Sequence, residues 1–381
     1  MDTAPFSSGT VPPPPPPPPP VITPASPPRP RRSWGWMIFA IILLVLLLIS
    51  LLGNFTQLAS QTLNFKGGLG SGVSHEAGPY LDEYVLKDND ADNKIAVMTV
   101  DGIISGSTVD QGGYNLVDVI RAQLNRARDD KRVKAVILKV DSPGGEVLAS
   151  DQIYRAIKDF QKDSGKPVVC SMGSLAASGG YYISSPCRWI VANDLTITGS
   201  IGVILHTWNY RGLMDKLGIW PETFKSGKFK DMLSGERETN QIPAEEYKMV
   251  QGLIDDTYQR FKDVVAAGRA AAHEKNKKEG RPLALDWTSY ADGRVLSGTQ
   301  AYDLGFVDQI GDFQDAVARA KQIAGIHNAN LIEYRERYDL SNFLHLLGQN
   351  ELSHNIKLDL GMDLPKLQAG ELYFLSPTFV N

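Results

Sequence analysis

Gly173-Ser174-Leu175-Ala176-Ala177-Ser178-Gly179-Gly180-Tyr181-Tyr182 is the stretch that decides the architecture. It follows an apolar run, Pro167 to Cys170, with the character of a buried strand, and it leads into Tyr181-Tyr182-Ile183, which can begin a helix. A turn of small residues between strand and helix presents a side chain at the helix N-terminus, where backbone N–H groups and the helix dipole favour negative charge. A serine there is placed to act as a nucleophile with an oxyanion beside it. A turn that needs small residues only for tight packing is the alternative.

A second unit of the same kind lies upstream. Lys134 to Asp141 is a β-branched apolar strand that runs into Ser142-Pro143-Gly144-Gly145, followed by a helical pattern with Val147, Ser150/Asp151, Tyr154 and Ile157 on one face. Glycines at a strand end leave backbone N–H groups open to a ligand. Two successive strand–glycine turn–helix units predict a layered α/β domain with both turns at one edge. A serine nucleophile needs a base. None of His75, His206, His273, His327, His345 and His354 has a catalytic setting, and Ala176 breaks the Gly-x-Ser-x-Gly elbow. Lysine is the remaining candidate. Lys225-Ser226-Gly227-Lys228-Phe229-Lys230-Asp231 offers three, and Phe229, Met232 and Leu233 beside Lys230 predict partial burial. Burial favours a neutral amine that can accept a proton. A solvated surface lysine is the ordinary alternative.

These residues resemble the signal peptide peptidase A family, the S49 group of membrane-bound serine proteases. The resemblance runs in order from about Asn93 to Gly325. It covers Asp141 to Gly145, Ala176 to Tyr182, Thr198-Gly199-Ser200-Ile201-Gly202-Val203, Lys225 to Asp231, Ala291-Asp292-Gly293-Arg294-Val295, Gly298-Thr299-Gln300-Ala301 and Leu304-Gly305-Phe306-Val307-Asp308. It implies a crotonase-like α/β layered fold and a Ser–Lys dyad, with Ser178 the nucleophile, Lys230 the general base and Ser200 the residue that orients the lysine. The backbone N–H groups of Gly145 and Gly179 would form the oxyanion hole. The implied activity is that of a membrane-anchored endopeptidase that cleaves signal peptides or other extended apolar peptides. In single-copy members the family implies a dome-shaped homo-oligomeric ring in which adjacent protomers supply Ser178 and Lys230. A non-enzymatic ring-forming assembly factor on the same fold is the alternative function, and loss of Ser178 or Lys230 would have favoured it. An acyl-CoA enzyme of crotonase type fits poorly with a domain outside the cytoplasm.

The 381-residue chain has a net charge of −4, which gives no basic footprint for nucleic acid. No metal-ligand spacing, Walker motif or dinucleotide fingerprint is present, and no cofactor is expected. Residues 1–33 are Pro-rich, with an unbroken run from Pro12 to Pro20. As polyproline II that run is a stiff rod of roughly 28 Å that cannot build a core; it is a spacer, or a ligand for an unknown partner with an aromatic groove. Residues 34–53 are uncharged, follow Arg29, Arg31 and Arg32, and begin with Trp34 and Trp36. They are expected to form a single transmembrane anchor with the N-terminus cytoplasmic and the rest of the chain outside. A cleaved signal peptide is the competing reading. Residues 54–92 read as a linker and packing segment, with Tyr80 to Leu86 a candidate helix; 93–325 as the peptidase domain; and 326–381 as a C-terminal extension. Lys94 to Val100, Trp189 to Ala192 and Ile201 to Leu205 are expected strands. Leu116 to Arg128 and Pro243 to Lys277 are expected helices. Cys170 and Cys187 flank the Ser178 segment and are either bridged or two buried thiols.

Overall fold

The computed structural model describes residues 39–47, 50, 78–107, 114–336 and 373–375. The chain divides into two compact units, Met1–Ser74 and His75–Asn381. In the first, residues 39–47 form a helix (α1) whose apolar side chains, Phe39, Ile42 and Leu46 among them, are exposed. Among the described residues no helix is long and apolar enough to cross a membrane. The expected anchor over 34–53 is described only at 39–47 and 50, and the Pro-rich segment 1–33 lies outside the described residues.

In the second unit the elements follow one another as β1 (Leu81–Lys87), β2 (Lys94–Ile104), α2 (Leu116–Asp129), β3 (Val133–Glu146), α3 (Val147–Ser164), β4 (Val168–Ala177), α4 (Gly179–Ser184), β5 (Trp189–Ala192) and β6 (Ile197–Gly199). Then come α5 (Arg211–Leu217), α6 (Ala244–Lys275), β7 (Val295–Ser297), α7 (Gly298–Asp303), β8 (Gln309–Ile310), α8 (Phe313–Ala324), β9 (Asn330–Glu336) and β10 (Tyr373–Leu375). Strands β2, β3, β4 and β5 lie side by side and parallel. Side chains alternate across the sheet, as the two-residue strand period requires. Ile95 and Val97 face one core with Ala316, Val317 and Ala320 of α8; Ala96, Met98 and Val100 face the other with residues of α2, α3, α4 and α6. A sheet buried on both faces by helices is the α/β layered class expected from the two strand–turn–helix units.

The strands that matter for the site run on past the main sheet. The glycine segment after Asp141 was expected to be a turn, but β3 continues through it to Glu146 after a register irregularity at Val140/Ser142. The Asp141 carboxylate accepts the Leu175 N–H at 3.0 Å across that irregularity. A Cβ at position 173 would lie 2.7 Å from the same carboxylate, so the strand crossing needs glycine there. Beyond it β4 pairs with β6 instead of β5, and β6 pairs with β7. β10 pairs with the Gly144–Glu146 end of β3.

Two expectations change, and one open alternative is settled. Tyr80 to Leu86 is a strand, not a helix: β1 pairs antiparallel with β9 from Leu81↔Glu336 onward, and a partner so distant in sequence overrides local preference. The sheet therefore takes strands from both the segment read as linker and the start of the segment read as extension. Ile201 to Leu205 is not a ladder strand; only Ile204 forms a bridge, to Tyr373. Cys170 and Cys187 are both free and buried, with the Cys170 thiol 3.3 Å from Ser184 Oγ. Burial, reinforced by neighbouring Cys170, pushes the Cys187 thiol well above its ordinary pKa.

One buried ion pair ties α6 to the sheet. The Arg269 guanidinium pairs with Asp308, donates to the Cys187 carbonyl at 3.0 Å, and lies with Asp308 almost wholly out of water. The Ile190 N–H donates to the same Asp308 carboxylate at 2.8 Å. Removing one partner leaves an uncompensated buried charge. Arg269→Ala is expected to cost about 3–5 kcal/mol in denaturant unfolding; a loss below about 1 kcal/mol would show that the pair does not hold α6 in place.

Candidate active site

Ser178 joins the end of β4 to the start of α4. Its backbone is held at φ 54° and ψ −116°, a region that residues with a Cβ seldom occupy. Its N–H donates to the Gly199 carbonyl and its carbonyl accepts from the Tyr182 N–H, each at 2.8 Å. Every residue of α4 is buried. Tyr181 donates to the Phe306 carbonyl at 2.9 Å and packs edge-on to the Phe306 ring. Tyr182 donates to Asp151 at 2.7 Å and packs against Tyr154 and Phe261. Burial opposes ionisation of Asp151, but hydrogen bonds from Tyr182, Arg155 and Arg260 outweigh it and hold its carboxyl below the usual range. Within this clamp the Ser178 hydroxyl is fully buried and has no hydrogen-bond partner among the described residues. An orphaned buried hydroxyl costs about 1–3 kcal/mol, so it marks a site built for something other than stability.

The glycine segment closes against it. Ser142 Oγ accepts the Gly144 N–H at 3.1 Å and fixes the bend, where Gly144 has φ 105°. A Cβ on Gly179 would fall 3.1 Å from the Gly145 nitrogen and 3.1 Å from the Gly144 Cα. The first residue of α4 thus abuts the Gly144–Gly145 backbone, and the two candidate oxyanion donors come from neighbouring chain segments. Glu146 anchors the next position. Burial raises its carboxyl, but donors from Ser105, Gly106 and Ser107 prevail and lower it overall. Ser200 lies one residue beyond the Ala177↔Gly199 pair, alongside Ser178, and also has positive φ, 50°. Its N–H donates to the Arg294 carbonyl at 2.7 Å.

Ser178, Gly179, Gly145 and Ser200 are therefore together, while Lys230 makes no hydrogen bond to Ser178 among the described residues. Lys230 sits exposed in a turn, and its ammonium makes no ion pair or hydrogen bond among the described residues. Its neighbours are engaged elsewhere, Lys225 with Asp231 at 2.8 Å and Lys228 with Glu245 at 2.6 Å. The expected partial burial of Lys230 is not found within one chain. Phe229 and Met232 are only half-buried, and the surrounding segment leaves Trp208, Trp220 and Phe224 largely in solvent, Phe224 at 92%. A cavity of 290 Å³ lined by Leu205, Trp208, Tyr247 and Val250 belongs to this segment and not to Ser178. His206 is exposed, and no described histidine bonds Ser178.

The strained backbone was not legible beforehand. A serine among small residues permits positive φ but does not announce it. Because the conformation suits glycine, Ser178→Gly is expected to be more stable than Ser178→Ala by about 1–3 kcal/mol in thermal or urea unfolding. Equal stability of the two variants would show that the backbone at 178 is relaxed.

The peptidase family S49 model matches residues 160–327, which include Ser178, Ser200 and Lys230. The chain is 42% identical to a putative protease of Synechocystis sp. over 52% of this chain and 66% of that one. It is 36% identical to a putative signal peptide peptidase SppA of Enterococcus faecium over 67% of this chain and 71% of the relative. A putative protease of Methanocaldococcus jannaschii is 38% identical over 65% and 73%. The chain thus spans about two thirds to three quarters of the length of these relatives. With that similarity running through the segment that carries the strained serine, the chain belongs to peptidase family S49, the signal peptide peptidase A family of serine peptidases.

Proposed function

We propose that the protein hydrolyses extended apolar peptides, leftover signal peptides among them, with Ser178 as nucleophile and Lys230 of an adjacent copy as base. The observation that carries this reading is the unpartnered Ser178 hydroxyl, held at positive φ beside the backbone of Gly145 and Gly179. The neutral lysine takes the Ser178 proton as Oγ attacks the peptide carbonyl. The two backbone N–H groups receive the oxyanion, one such donor being worth about 3–4 kcal/mol in the transition state. The lysinium then protonates the leaving amine, and a water activated by the same amine hydrolyses the acyl-enzyme. Ser200 orients the lysine, the role of a third residue in a triad.

The placement of Lys230 supports supply from a second copy. It is exposed, it has no partner in its own chain among the described residues, and it rides on a segment whose Trp208, Trp220 and Phe224 are uncovered. Large exposed aromatic side chains of this kind mark interaction surfaces. A ring of such copies would enclose the nucleophile, admitting extended peptides and excluding folded proteins.

We also read residues 34–53 as a membrane anchor, with the peptidase domain on the outer side. The uncharged sequence, the preceding arginines and the all-round apolar surface of α1 support it. The protein is expected to stay with membranes through alkaline carbonate extraction; release into the soluble fraction would contradict the anchor.

Ser178→Ala and Lys230→Ala are each expected to lower kcat on an apolar peptide by about 10³-fold or more, without additive loss in the double variant. Lys230→Arg is expected to be equally inactive, because arginine stays protonated. Ser200→Ala should lose less. Near-normal turnover by Lys230→Ala would remove lysine from the mechanism.

A further inference from the structure

The segment that carries Lys230 sorts its charges. Lys225 pairs with Asp231 at 2.8 Å, Lys228 with Glu245 at 2.6 Å and Arg237 with Glu246, while Lys230 has no partner among the described residues. The position of Lys230 therefore depends on the backbone around it. That backbone is a run of overlapping turns. The N–H groups of Lys230, Met232 and Ser234 donate to the carbonyls of Gly227, Phe229 and Asp231 at 3.2, 3.0 and 3.1 Å. Turns with solvent-exposed hydrogen bonds open easily, and a catalytic group displaced by about 1 Å can lose 10²-fold in rate.

One buried carboxylate closes this run. Glu246, in the first turn of α6, is only 2% exposed. Its Oε1 accepts both the Leu233 N–H, at 3.0 Å, and an N–H of the Arg237 guanidinium. Arg237 reaches back to within 3.6 Å of Asp231, the residue after Lys230. Leu233 has φ 66°, a left-handed backbone that leucine keeps only where its surroundings impose it. Glu246 imposes it by holding the Leu233 N–H. The second oxygen, Oε2, is buried without a partner among the described residues and borders the 290 Å³ cavity. A carboxylate withdrawn from water with half its acceptor capacity unused is poorly suited to stability alone. Further along α6, Phe261 packs on Tyr182, and a Cβ on Gly268 would fall 2.5 Å from the Ser185 carbonyl oxygen. The helix rises about 22 Å from Glu246 to Phe261. α6 is thus fixed against the nucleophile helix of its own chain and grips the Lys230 turn at its far end.

We propose that Glu246 is a positioning residue for the peptidase reaction: by holding Leu233 and Arg237 it sets where the turn presents Lys230 to Ser178 of the adjacent copy. This rests on Lys230 being the base and on its supply by a second copy. Glu246 acts only in the chain that gives the lysine. A loosened turn removes orientation and leaves substrate binding, so kcat falls while KM stays.

The test places Glu246→Ala in one partner of a mixed assembly of full-length chains. The reference mixture is Ser178→Ala with Lys230→Ala. In the first arm Glu246→Ala is added to the Ser178→Ala chain, which supplies the lysine; in the second it is added to the Lys230→Ala chain, which supplies the serine. The first arm is expected to recover about tenfold less activity than the reference, or lower still, and the second to match it. Glu246→Gln, which keeps an acceptor for the Leu233 N–H, should lose less in the first arm. Equal loss in both arms would make Glu246 a structural residue and overturn the proposal, as would no loss in either. If the reference mixture recovers nothing despite subunit exchange, supply by a second copy is wrong, and the single Glu246→Ala variant decides the role of Glu246. Its kcat should then fall about tenfold with KM within about twofold of the parent. Trypsin should also cut it after Lys228 or Lys230 about tenfold faster, with other sites unchanged. Parental kcat, or parental cutting at those two lysines, would overturn the proposal in that case.

Discussion

Ser178 sits at φ 54° because three groups of contacts leave it no other conformation. Its N–H is taken by Gly199 of β6, its carbonyl by Tyr182 in α4, and α4 itself is pinned by Tyr181 and Tyr182 in the core. Such a backbone costs about 1–3 kcal/mol and persists only where the surroundings over-determine it. Here the surroundings do so with buried aromatic rings and hydrogen-bonded strands, so the strain is carried by the fold and the hydroxyl has no partner among the described residues.

The same constraint explains the course of the strands. For Ser178 to meet the Gly144–Gly145 backbone, β4 parts from β5 after Ser171 while β3 stays paired with β2 through Gly145. Asp141 spans the departure by taking the Leu175 N–H, and Gly173 makes room for it. Beyond that point β4 finds β6 and β3 finds β10, so the site is assembled at the seam between a parallel sheet and short strands that come from far along the chain. Glu146 and Asp151, both holding their charge through several donors despite burial, secure the two sides of the seam.

The sequence was readable where structure is local. The apolar run into small residues at 173–182 marked β4, Ser178 and α4; the glycines at 144 and 145 marked the neighbouring backbone; the spacing of apolar residues marked α2, α3 and α6. It was not readable where pairing is distant. β1 resembles a polar helix until Glu336 and its neighbours pair with it, and Ile204 has a partner only because Tyr373 returns to meet it. Two helix starts were available and unused: Ser297 with Gln300, and Asp312 with Asp315, each form a capping box at α7 and α8. Lys230 could be chosen by type and motif but not by environment, since one chain leaves it in solvent.

On the reading proposed above, the buried Ser178 and the exposed Lys230, neither with a side-chain partner among the described residues, are two halves of one site. If separate copies bring them together, inactive Ser178→Ala protein mixed with inactive Lys230→Ala protein, under conditions of demonstrated subunit exchange, should regain part of the peptidase activity. Interfaces in the mixed assembly would then place an intact Ser178 beside an intact Lys230. Exchange without any recovery of activity would mean that each chain completes its own site, and that Lys230 does not serve a neighbouring copy.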